Sequence, residues 1–159
     1  MDSIMLEPKL EEPLPSVDIV DGAIRLADMR ASDRVTIVGR SHLDLLLGLG
    51  RRGILRASCE MPDGGPLAAS DDSDVIWIPG ETESVTLLTA LARFGRHLRP
   101  GGTLIVGPRP PGGGTDKSWL RRLLFERGFM SVAQLQVGGG DGDVLLCARK
   151  HCTGLGQAA

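Results

Sequence analysis

Residues 35–53 read VTIVGRSHLDLLLGLGRRG, and this stretch decides the fold. Val35-Thr36-Ile37-Val38 is a β-branched run of the kind found in buried strands. Ser41, with Asp44 three residues on, has capping-box spacing and predicts a helix through about Leu49, stopped by Gly50 and Gly53. A strand, a tight turn and a helix open a βαβ unit. Such units commonly build the turn on glycines so that the backbone can approach a ligand. Only Gly39 remains here, followed by Arg40, Ser41, His42 and Leu43. Two readings stand: the turn has been rebuilt, or it has been closed.

The rest of the chain continues the alternation. SVDIVDGAIRLADM carries Val17, Val20, Ile24 and Leu26 at roughly helical spacing. Ile54 to Cys59 reads as a strand, and Arg56 and Ser58 place it at an edge. MPDGGPLAASDDSD is turn-rich and leaves little room for another full strand and helix. Val75 to Ile78 is a buried strand ending at Pro79, and Glu83 to Leu98 is an amphipathic helix. Pro100-Gly101-Gly102 reads as a turn before a strand over Thr103 to Val106. The loop PRPPGGGT leads to an Asp116-capped helix holding Trp119, Leu120, Leu123 and Leu124, ended by Gly128. Val132–Val137 and Val144–Cys147 flank GGGDGD as a hairpin. These elements predict an α/β fold, a three-layer, mainly parallel Rossmann-like sheet with an antiparallel last strand. One domain over residues 16–150 is expected, between an acidic, proline-bearing tail (1–15) and a frayed C-terminal tail (151–159).

Composition narrows the partners. The chain has 159 residues, 42 % hydrophobic and 24 % charged, with a net charge of −2. That balance lacks the basic excess of a nucleic-acid binder. Cys59, Cys147 and Cys152 are an odd number without CxxC spacing, and His97 and His151 have no acid or cysteine at ligand spacing, so no metal site is expected. The N-terminus has no signal-like n- and h-regions, and no apolar run approaches the roughly 20 residues that span a bilayer. A cytoplasmic protein without a membrane partner is the expectation.

Four stretches then resemble the class I S-adenosylmethionine-dependent methyltransferases: ASDRVTIVG, SDVIWIPG, LARFGRHLRPGGTLIVGP and RRLLFERGF…VLLCARK. They resemble, in order, the lead into the first strand, the fourth strand, the helix–turn–fifth strand, and the last helix with the closing hairpin. The block IPGETESVTLLTALARFGRHLRPGG is similar to the precorrin-type decarboxylating methyltransferases. The resemblance covers about Ser16 to Lys150. It implies a seven-stranded sheet with its last strand reversed, here with the third strand short or missing, and S-adenosylmethionine as the cofactor. It places candidate cofactor-binding positions at Gly39, Arg40, Ser41, His42, Glu60, Asp71 and Pro79.

The departures lie in the first turn. The family pattern is acid-x-Gly-x-Gly-x-Gly; Ile37 replaces the acid, Ser41 and Leu43 the later glycines. The Ser41 Cβ and the Leu43 isobutyl group are expected to intrude on the cofactor's space. Glu60 stands where an acid would hold ribose hydroxyls, and Asp71 or Asp72 on the adenine side, though DDSD also reads as a solvated loop. His42 reads as a general base, an anion contact, or a surface residue in the helix's first turn. Arg40 with Ser41 and His42 makes a candidate anion site at that helix start. PPGGGTDKS lacks the P-loop pattern because Asp116 precedes Lys117 and Pro111 takes a glycine position. Cys59 reads as a reactive thiol or a small buried hydrophobe, and Trp77 as a ligand-stacking or a core residue. No catalytic residue is assigned. The expected function is a methyltransferase-like binding or regulatory module with a protein partner or as a homo-oligomer. The alternative is an active small-molecule methyltransferase.

Overall fold

The computed structural model describes residues 18–39, 42–61, 72–79, 84–109, 117–137 and 143–151. In chain order the elements are α1 (Ile19–Ala27), β1 (Val35–Val38), α2 (Leu43–Arg51), β2 (Ala57–Glu60), β3 (Ser73–Ile78), α3 (Ser84–Phe94), a 3-10 turn (Gly95–His97), β4 (Leu98–Arg109), α4 (Lys117–Glu126), β5 (Phe129–Val137) and β6 (Asp143–Lys150). The strands form one sheet in the order β2-β1-β3-β4-β6-β5. β1 pairs in parallel with β2 and β3, and β3 with β4, while β6 runs antiparallel to both β4 and β5. The predicted mixed sheet with a reversed last strand is therefore present. No strand lies outside β2 among the described residues.

Period-two alternation splits the core between the two faces. Val35, Ile37, Val75 and Trp77 point to one side, where α1 and α2 bring Val20, Ala23, Leu45 and Leu49. Val38, Ile76 and Ile78 point to the other, against Leu87, Leu91 and Phe94 of α3 and Leu120 and Leu124 of α4. α1 starts on Asp18, whose carboxylate accepts from the Val20 and Asp21 N–H groups. Arg52, at the end of α2, bridges back to Asp18 and Asp21 and so ties the two helices together.

Besides shifts of up to three residues at the ends of β2, β5 and β6, three features differ from the sequence reading. The long helix stops at Phe94 and tightens into the 3-10 turn, so Leu98 begins a strand. Lys150 reaches across from β6, its Nζ donating to the Gly95 and Leu98 carbonyls at 2.8 and 2.7 Å. Pro100-Gly101-Gly102 does not separate helix from strand but lies inside β4, where Leu98 to Thr103 spans the same rise as Ser73 to Val75. The excess residues fold out as a bulge at Gly101, φ +82°. Finally, α2 begins behind His42, which makes no side-chain cap. Ser41 and Asp116, read as caps, lie outside the described residues. Among the described residues no helix is long and apolar enough to cross a membrane.

Cys147 sits buried on β6, its thiol against the Leu26 carbonyl at 3.6 Å, and burial pushes its pKa up to about 11 from the ordinary 9.0. In the unfolded chain the thiol ionises near pH 9; in the folded chain it holds its proton longer. Stability is thus intact below pH 9 and falls as pH rises toward 11. Through this thiol the unfolding free energy from urea titrations should fall by about 2 kcal/mol over that window, and Cys147→Ala should lack that part of the loss. Identical pH profiles for the two proteins would refute it.

Candidate functional site

The carboxyl ends of β1, β2 and β3 lie at one end of the sheet, where an open α/β sheet holds its ligand. Gly39 follows β1 with φ +142°, a conformation that favours glycine. Its N–H donates to the Glu60 carbonyl at 2.8 Å, locking the turn to the end of β2. The chain then reverses through His42, whose carbonyl accepts from Leu45 and Leu46, and enters α2. The imidazole of His42 folds back over the Gly39 Cα. A Cβ placed on Gly39 would come within 2.6 Å of His42 Nε2 and 3.0 Å of Cδ2. The open face that a glycine offers in such a turn is thus occupied by the protein's own side chain.

Leu43 does something other than the sequence reading expected. It is 62 % exposed, so its isobutyl group stands in solvent instead of filling the crevice. The side chain that lies over Gly39 is that of His42. Arg40, Ser41 and Asp71 lie outside the described residues. Pro79 is buried at the end of β3.

Cys59 packs on the α2 side of β2. Burial pushes its thiol up; the His42 backbone N–H, which faces the sulfur, offsets part of that, and Asp44 and Glu60 add to the rise. A thiol held protonated in this way is a poor nucleophile. Trp77 is fully buried, with Nε1 donating to the Gly107 carbonyl at 2.8 Å, so it is a core residue.

Glu60 alternates to the opposite face of β2 from Cys59. There it lines a cavity of about 360 Å³ with Thr36, Ser58, Ser73, Phe94 and His97. Thr36 and Ser73 share a hydroxyl–hydroxyl hydrogen bond of 2.6 Å across β1 and β3. Backbone bonding joins Glu60 to Gly39, but its side chain belongs with these hydroxyls. The sequence reading missed this polar face. Its signal was present, since Thr36 and Ser58 occupy the same alternating face of β1 and β2, but Ser58 marks only an edge when β2 is read by itself. Among the described residues, no three potential metal ligands cluster.

With this geometry the chain superimposes on several solved methyltransferases. It matches the N-methyltransferase NodS from Bradyrhizobium japonicum WM9 with a TM-score of 0.55 and 15 % identity, over 95 % of this chain and 99 % of that one. It matches magnesium protoporphyrin IX methyltransferase (ChlM) from Synechocystis PCC 6803, solved with bound S-adenosylhomocysteine, with a TM-score of 0.60 and 13 % identity, over 82 % and 81 % of the two chains. The fold is class I methyltransferase-like. A third match, the glycopeptide N-methyltransferase MtfA complexed with S-adenosylmethionine, has a TM-score of 0.54 and 14 % identity over 84 % and 87 %. No protein-family model matches the sequence, and no curated protein sequence matches it. This methyltransferase-like chain therefore shares architecture with cofactor-binding enzymes while placing an imidazole against its one remaining turn glycine.

Proposed function

We propose that this chain is a methyltransferase-like binding or regulatory module, acting in the cytoplasm with a protein partner, in which the S-adenosylmethionine crevice is closed. The observation that carries the reading is the His42 ring over Gly39, with 2.6 Å between Nε2 and the position of a Cβ. A cofactor that needs the backbone's close approach meets a ring there instead. Two further features support it: Ile37 is fully buried where the family pattern has an acid, and the Glu60 side chain lines the hydroxyl-rich cavity. Gly39 and His42, the described residues of the first turn, do not fit S-adenosylmethionine as they stand, so no methyl-transfer step is assigned.

The competing reading, an active small-molecule methyltransferase with Glu60 on ribose, draws on the matched enzymes solved with S-adenosylmethionine or S-adenosylhomocysteine. Calorimetric titration with both compounds separates the two, run on the native protein and on His42→Ala. The native chain should give no measurable heat, and His42→Ala should gain micromolar affinity. Micromolar binding by the native chain would establish a working pocket and overturn closure. Silence from both proteins would remove His42 as the closing element.

A further inference from the structure

Of the two strands that end the described sheet, β2 and β5, β2 carries a self-complementary pattern. β2 pairs with β1 alone, and no described residue covers its other side. The ladder shows which backbone groups point outward. Val35 N–H donates to the Arg56 carbonyl at 3.0 Å and Gly39 N–H to the Glu60 carbonyl at 2.8 Å. Residues 56, 58 and 60 therefore turn their backbone groups toward β1. By alternation, Ala57 and Cys59 direct their N–H and C=O groups out to the free edge.

An unpaired edge is a template for another strand, and proteins blunt it with short strands, charged side chains, proline or a covering element. From Ile54 to Met61 this edge has neither proline nor lysine, and its two charges, Arg56 and Glu60, are of opposite sign, so they repel a foreign strand but complement a second copy. Leu55, just before the strand, is 77 % exposed. We infer that two copies of this chain join their sheets by antiparallel pairing of β2 with β2, across a two-fold axis at Ser58.

Register follows from the outward groups. In an antiparallel pair, residues that point at one another exchange both hydrogen bonds. Only registers that match the set Ala57 and Cys59 with itself satisfy the edge. Centred on Ser58, Ala57 meets the partner's Cys59, and Arg56 meets the partner's Glu60, twice by symmetry. Leu55 meets the partner's Met61. Centred on Ala57, Arg56 would face the partner's Ser58. Centred on Cys59, Ser58 would face the partner's Glu60. Of the three, only the Ser58 register sets opposite charges across the seam, and such pairs favour one register over its neighbours. Arg56, Ser58 and Glu60 share the face that lines the polar cavity, so the complementary charges stand on one side of the joined sheet. Arg56 Nη1 already donates to the Ser32 carbonyl at 3.2 Å, leaving the other guanidinium N–H groups for the carboxylate.

This inference names the partner in the reading above, and its test uses no cofactor, so the two can fail separately. Sedimentation equilibrium of the full chain should give a dimer at micromolar concentration. Arg56→Glu or Glu60→Arg should each weaken it about tenfold or more, since each creates two like-charge pairs, and combining them should restore it. Far-UV circular dichroism confirms that each variant is folded. In a chain carrying Cys59→Ser and Cys152→Ser, Ser58→Cys should form an intermolecular disulfide under mild oxidation, because non-hydrogen-bonded partners sit within disulfide range. A native monomer, a dimer indifferent to either charge reversal, or no rescue in the double reversal would overturn the proposal. So would a Ser58→Cys dimer that fails to cross-link.

Discussion

Gly102→Ala should destabilise the protein by about 3 kcal/mol or more, the cost of forcing a side chain into space enclosed by backbone. A Cβ there would come within 2.8 Å of the Arg99 carbonyl and 2.9 Å of the Asp74 carbonyl, besides 2.7 Å from Leu98 Cδ1. A flexible side chain moves aside cheaply, but two carbonyls in neighbouring strands do not. Asp74 is also held on both carboxylate oxygens, accepting from the Arg34 N–H at 2.8 Å and pairing with Arg99 at 2.7 Å. Pushing its carbonyl away strains the contacts that join the starts of β1, β3 and β4. Urea denaturation followed by far-UV circular dichroism measures the change. A loss below about 1 kcal/mol would mean that the bulge relaxes freely. Gly101→Ala is the informative neighbour: nothing lies within 4 Å of its Cβ, so any cost there comes from φ +82° alone.

Trp77→Ala should cost about 3–5 kcal/mol, the range for removing a large buried aromatic and leaving a cavity. Trp77 is fully buried near the carboxyl end of β3, which lies between β1 and β4. Its indole N–H also satisfies the buried Gly107 carbonyl at 2.8 Å. Trp77→Phe separates the two contributions. It keeps most of the packing but orphans that carbonyl, and should lose about 1–3 kcal/mol. The same denaturation assay applies, because it does not depend on tryptophan fluorescence. Equal losses for the two variants would show that the hydrogen bond, and not the packing, dominates.

Local pattern carried most of the architecture. Val35–Val38 and Val75–Ile78 form strands as their β-branched runs predict, since a strand buried on both faces needs apolar side chains at successive positions. Among the described residues no strand lies beside β2, in keeping with the short, turn-rich connection that follows it in the sequence. The Pro100-Gly101-Gly102 segment misled because glycines mark both turns and bulges, and only the pairing of β3 with β4 distinguishes them. Leu98 was read into a helix because it is apolar at helical spacing, yet Gly95 begins the 3-10 turn that ends that helix before it.

The candidate site divides differently. That Gly39 is followed by Ser41 and Leu43, and not by further glycines, was legible at once, because glycine is defined by the missing Cβ and any other residue shows in one letter. Which side chain then occupied the space was not. Leu43 stands at the motif position but points to solvent, while His42, one residue earlier, covers Gly39. That choice rests on where the turn leaves β1 and how α2 sits on the sheet, and both depend on packing between residues distant in sequence. The Thr36–Ser73 hydroxyl bond and the outward-facing edge of β2 are of the same kind. Sequence alone determined the order of strands and helices and the single glycine at the end of β1, because each depends on near neighbours along the chain. The tertiary structure alone decided which side chain lies over Gly39 and which strands end the described sheet, because both depend on how strands and helices far apart in the chain are brought together.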